Sequence, residues 1–117
     1  MAAKNPASNI ASCGCAAQPK ARKAVAVDPE IKSSNLKRLR RIEGQVRGLQ
    51  RLVTEDRYCA DILVQISSVQ EALRSVGRAL MRNHLRHCAS KAIRDPLPGR
   101  AEAMYEELLN LMEMQSR

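Results

Sequence analysis

Three side chains in this sequence are natural ligands for a soft metal ion: Cys59, His84 and Cys88. His84 and Cys88 are four residues apart, so on a helix they share one face, a turn apart. Cys59 lies twenty-five residues before His84, and the stretch between holds no proline and one glycine, Gly77. On one continuous helix that separation is roughly 37 Å. The three can therefore meet only between two subunits, with Cys59 of one chain beside His84 and Cys88 of an antiparallel partner. Symmetry then makes two such sites. Two thiolates and an imidazole suit Cu(I), which is soft and accepts low coordination numbers. Zinc would want a fourth ligand; His87 could supply it, but lies about 100° around the helix from Cys88. Tyr58, beside Cys59, is a candidate neighbour of the site. The same residue types also fit two small buried thiols and a helix-surface histidine, and spacing alone does not choose. Cys13-Gly14-Cys15 could take a soft metal, form a redox pair or be incidental.

The elements that must position these groups read as helices throughout. Residues 1–32 are rich in Ala, Lys, Pro and Ser without periodicity, and are expected to form a disordered basic tail. Residues 33–117 are expected to form the all-helical domain. Ser33, Ser34 or Asn35 offers an N-cap. Leu36, Leu39, Ile42, Val46, Leu49 and Val53 then recur at helical steps to about Thr54. Thr54 to Arg57 reads as a turn. A long helix begins near Tyr58, with an apolar seam of Ile62, Ile66, Val69, Leu73, Val76 and Leu80 that reaches Cys59 at one end and His84 and Cys88 at the other. Asp95-Pro96-Leu97-Pro98-Gly99 ends it. A third helix spans about Arg100 to Met114, with Met104, Leu108, Leu111 and Met112 on one side. A helix of this length leaves its seam in water beside short neighbours, so an obligate antiparallel dimer is expected, with its twofold axis near Ala72 and Leu73.

Charge points to a polyanionic partner. The chain carries 20 Lys and Arg against 12 Asp and Glu, a net +8, which favours nucleic acid over membrane. The first helix gathers Lys37, Arg38, Arg40, Arg41, Arg47 and Arg51 against Glu43 alone; the second adds Arg74, Arg78, Arg82 and Arg86 at four-residue steps. A solvated face would show more Glu–Arg pairs one turn apart. Gly44 and Gly48 suggest that something approaches the first helix's backbone. There is no helix-turn-helix spacing, zinc-finger pattern or aromatic stacking platform. No apolar run spans a bilayer and no signal-peptide core is present, so a cytoplasmic protein with reduced thiols is expected. No catalytic constellation stands out, and an enzyme is not expected.

The segments Leu36 to Gly48, Asp56-Arg57-Tyr58-Cys59, Gln65-Ile66 and Asn83-His84-Leu85-Arg86-His87-Cys88 closely resemble the copper-sensitive operon repressor (CsoR) family, over roughly residues 33–94. The resemblance implies an all-α fold: a three-helix protomer with one long central helix, paired antiparallel and assembled into a flat, disc-like tetramer. It also implies repression of transcription without a helix-turn-helix, with metal binding releasing operator DNA. The copper sensors of the family carry Cys, His and Cys, matched here by Cys59, His84 and Cys88. Nickel and cobalt sensors add an N-terminal histidine, and the region near Val27 has none. Persulfide sensors lack the histidine, and formaldehyde sensors the second cysteine. Copper sensors also place a third-helix glutamate behind the site; Glu102 and Glu106 are the candidates here.

The expectation is a Cu(I)-responsive repressor whose apo form binds operator DNA through Lys37, Arg38, Arg40, Arg41, Arg47, Arg51, Arg74 and Arg78. Its regulated genes would serve copper efflux and homeostasis, and a copper chaperone is a further candidate partner. The alternatives are a persulfide-, oxidant- or other-metal-responsive repressor of the same family, and a cytosolic copper buffer. The unpaired basic stripes and the small number of thiols oppose the last.

Overall fold

The computed structural model describes residues 22–117, and every described element of regular structure is helical. Cys13 and Cys15 lie outside the described residues. Helix α1 spans Pro29–Thr54. It begins four residues before the expected Ser33 cap, because Pro29 at the first turn needs no N–H partner and Asp28 precedes it in extended conformation. Glu30 in the first turn and Arg51 in the last complement the helix dipole. The α1 C-terminus closes with a Schellman turn. Arg57 N–H donates to Leu52 O at 3.0 Å and Asp56 N–H to Val53 O at 3.1 Å. Asp56 takes the left-handed conformation there, with φ 54°.

The turn folds the chain back into α2, Cys59–Asn83. Helical structure then continues without a break through a π-helical turn, His84–Ala89, and a short α3, Ser90–Arg94. Together these form the single long rod the periodicity predicts. The widened turn was not predicted; Ser90 Oγ, just past its end, donates back to Arg86 O at 2.7 Å. Gly99, with φ 87°, starts α4, Arg100–Gln115, a conformation that favours glycine.

The core is thin. Ile42 of α1 packs with Val69 and Val76 of α2, and Leu49 and Ala72 flank them. Ile62, Val69, Val76 and Asn83 recur every seventh residue, and this line of α2 faces α1. The expected seam is therefore two lines rather than one. Ile66, Leu73 and Leu80 form the other and remain 36%, 47% and 55% exposed. α1 splits likewise: Ile42 and Leu49 are covered, while Leu36, Leu39, Val46 and Val53 are exposed. On α4, Met104, Leu108 and Leu111 turn inward and Met112 does not. Near the middle of the rod, a Cβ at Gly77 would stand 3.0 Å from the Gln115 side chain, so the end of α4 crosses closely there. No helix among the described residues is long and apolar enough to cross a membrane.

Candidate metal centre

The rod determines which ligand candidates can meet. His84 and Cys88 both fall in the π-helical turn and line one cavity of about 790 Å³, shared with Val25, Met104 and Glu107. Cys59 stands exposed at the opposite end of α2, on the line that continues through Ile66, Leu73 and Leu80. Its distance from His84 along the rod is set by the helical rise at roughly 37 Å. Among the described residues no three metal-ligating side chains of one chain cluster.

His84 is held from behind. Its Nε2 lies 2.9 Å from Glu107 Oε2, with the side chains 25% and 37% exposed. The contact is close enough for strong attraction but off the line of a straight N–H···O bond. With Nε2 against a carboxylate, Nδ1 is the imidazole's remaining lone-pair donor. A carboxylate behind a histidine is how metal-ligating histidines are commonly oriented. Two thiols and an imidazole so oriented fit a soft metal ion.

Glu107 replaces the expected Glu102 and Glu106, which are both exposed. A signal was present: Met104, Leu108 and Leu111 form the inward stripe of α4, and Glu107 is the one carboxylate within it. Tyr58 precedes α2 and is 74% exposed, at the Cys59 end. His87 is engaged elsewhere, its Nε2 2.8 Å from Asp28 Oδ1.

Sequence reasoning also missed the segment 22–28, which runs as a strap without regular structure, bent at Val25, along the His84–Cys88 end of the rod. Val25 N–H donates to Cys88 Sγ at 3.4 Å. Asp28 N–H donates to Asn83 Oδ1 at 2.9 Å, and Asn83 Nδ2 donates to Ala26 O at 3.0 Å. Arg86 Nη1 donates to Asp28 Oδ2 at 2.7 Å. The hydrogen bond from His87, then Arg86, holds the Asp28 carboxyl below its ordinary 3.8, against an opposing push from burial.

The basic residues are on the surface as expected. Lys37, Arg38, Arg40, Arg41, Arg47 and Arg51 of α1 are all exposed. Arg47 lies 3.8 Å from Glu43. The α2 stripe is less bare than expected: Arg74 and Arg78 share Glu71, at 3.5 and 3.4 Å. Such exposed pairs contribute little and leave both cations available. Among the described residues, nothing beyond the helix's own backbone and chain neighbours lies within 4 Å of a Cβ placed on Gly44 or Gly48.

With this geometry in place, the resemblance to known proteins is specific. Residues 31–114 match the family described as metal-sensitive transcriptional repressors. The chain is 53% identical over 68 residues to the copper-sensing transcriptional repressor RicR of Mycobacterium tuberculosis, covering 58% of this chain and 71% of that protein. It is 50% identical over 76 residues to the copper-sensing transcriptional repressor CsoR of Bacillus subtilis, covering 65% and 72%. A crystal structure of the copper-sensing repressor CsoR with Cu(I), from Geobacillus thermodenitrificans, superposes with a TM-score of 0.67 at 45% identity, over 80% of this chain and 94% of that one.

Proposed function

This chain belongs to the family of metal-sensitive transcriptional repressors, and from that premise we propose that it is a Cu(I)-responsive repressor that binds operator DNA in the apo form and lets go when loaded. The observation that carries the reading is the pairing of His84 and Cys88 on one turn, with Glu107 behind the histidine and Cys59 exposed at the far end of the rod.

Cys59 of one subunit would sit beside His84 and Cys88 of the partner subunit, giving two sites per antiparallel dimer. The exposed lines Ile66–Leu73–Leu80 and Leu39–Val46–Val53 supply apolar surface for that dimer and for its stacking into a tetramer. Bound Cu(I) would supply a cross-link between subunits. His84 offers Nδ1 and Glu107 fixes the ring, so any tightening at His84 reaches α4 directly. Lys37, Arg38, Arg40, Arg41, Arg47 and Arg51 would contact phosphates, with Arg74 and Arg78 extending the surface. DNA is released only if the free conformation holds the metal more tightly than the bound one. The genes under control would serve copper efflux and homeostasis, in the cytoplasm, with a copper chaperone as a source of the metal.

The deciding experiment is subunit mixing. Cys59→Ala and Cys88→Ala homodimers should each bind Cu(I) poorly. Mixed after denaturation and refolding, they should regain one tight site in each heterodimer. No recovery would rule out a shared site. Fluorescence anisotropy of promoter DNA, titrated anaerobically with Cu(I), Ni(II), Zn(II) and a persulfide donor, then identifies the signal. Release by the persulfide donor alone would move the protein to the thiol-sensing branch of the family.

A further inference from the structure

Asp28 occupies the N-cap position of α1 but does not cap it. Aspartate at this position ordinarily accepts a hydrogen bond from an N–H of the first helical turn, and no such side-chain bond forms. Its carboxylate is instead directed to residues more than fifty positions away, Arg86 and His87, at 2.7 and 2.8 Å. Asp28 N–H and Ala26 O meanwhile grip the two ends of the buried Asn83 amide. All three anchor residues sit at the entrance to or inside the π-helical turn, the segment that also carries His84 and Cys88. Beyond the anchor the strap runs to Val25, whose N–H rests on the Cys88 sulfur.

We propose that Asp28 is a positioning residue: it latches the 22–28 strap across Cys88 and fixes the shape of the widened turn that presents Cys88 and His84. A π-helical turn is a rare departure from the α-helix, found frequently at functional sites, and here it is bonded to the residue that ordinary helix chemistry would assign to α1. Arg86 and His87 face outward to Asp28 while His84 and Cys88 face the cavity, so one turn is held from both sides. The strap itself brings Val25 and the cationic Arg22 and Lys23 to the cavity wall. The claim about metal affinity rests on His84 and Cys88 being ligands; the claim that the strap is latched does not.

The test is Asp28→Ser in the full chain. Serine is a good N-cap, so α1 keeps its start while the carboxylate's bonds to Arg86 and His87 are lost. Amide hydrogen exchange of the apo protein should show the Val25 and Asp28 N–H groups protected in the wild type, with Val25 and the residue-28 amide exchanging about tenfold faster in Asp28→Ser. Asp28→Glu, which still reaches both partners, should restore protection, and Arg86→Ala with His87→Ala should match Asp28→Ser. Cu(I) affinity, read against a chromophoric chelator, should fall about tenfold in Asp28→Ser and recover in Asp28→Glu. Unchanged exchange in Asp28→Ser overturns the latch. Faster exchange with unchanged Cu(I) affinity overturns the positioning role. If exchange behaves as expected and neither protein binds Cu(I), the latch stands and the copper reading fails.

Discussion

The two ends of the rod are built to different standards. At one end Cys59 is exposed, follows an exposed Tyr58, and its thiol makes no hydrogen bond among the described residues. At the other, His84 has Glu107 behind it, Cys88 receives Val25, and the turn between them is anchored through Asn83, Arg86 and His87 to the strap. A site divided between subunits needs only one prepared half. In the shared site proposed above, the prepared half would set geometry before the partner arrives, and the bare half would contribute a thiolate that an antiparallel neighbour delivers without rearrangement.

The largest effect should come from removing a ligand candidate from either end. Cys59→Ala and Cys88→Ala should each weaken Cu(I) binding by at least ~100-fold, beyond the usual loss for an outer-shell change. If only Cys88→Ala does so, the bare end is not part of the site. Next, Glu107→Gln should cut metal affinity or metal-driven DNA release by roughly tenfold, measured by chelator competition and anisotropy, while Glu106→Gln changes neither. Equal effects from both would mean that α4 acts through charge alone.

The contrast between Glu106 and Glu107 also shows how far the sequence could be read. The helical fold, the turn at residues 54–57 and the end of the rod at Asp95 all follow from local periodicity and from proline and capping chemistry, which are properties of neighbouring residues. The separation of Cys59 from His84 follows from helical rise alone. What stayed hidden depended on contacts between distant segments. The strap is joined to the rod across more than fifty residues, by Asp28, a residue whose local role would be to cap. The π-helical turn has no composition of its own. The split of one apolar seam into two lines becomes visible only when α1 chooses which line to cover, and Glu71 pairs with Arg74 and Arg78 only because three- and seven-residue spacings share a helix face.

Smaller effects separate the ends further. On the prepared side, the latch should depend on pH through Asp28. Its carboxyl is held below 3.8 by His87 and then Arg86, so its stabilising contribution is complete above that value and is lost as pH falls through the lowered one. Amide exchange at Val25 and Asp28, corrected for intrinsic rates, should therefore lose protection only once the pH has fallen below the ordinary carboxylate range. On the basic face, which belongs to neither end, Arg41→Ala should weaken operator binding across all sequences and lower the salt slope by about one. An unchanged slope would remove Arg41 from the phosphate contacts. The smallest change belongs to the bare end. Asp56→Gly relieves the one non-glycine left-handed residue among those described, just before Cys59. It should raise stability by up to ~1 kcal/mol in thermal unfolding without altering Cu(I) affinity.

The close crossing at Gly77 gives α4 a mechanical meaning. Glu107 and Gln115 are eight residues apart on one helix, about 12 Å along its axis. The first touches His84 and the second overlies the middle of the rod, a turn from Leu73. In the proposed dimer, a rigid α4 would carry a displacement of Glu107 at the imidazole to the rod's midpoint, where the symmetry axis of an antiparallel pair would pass. Each subunit's occupancy would then be registered at a place both subunits share.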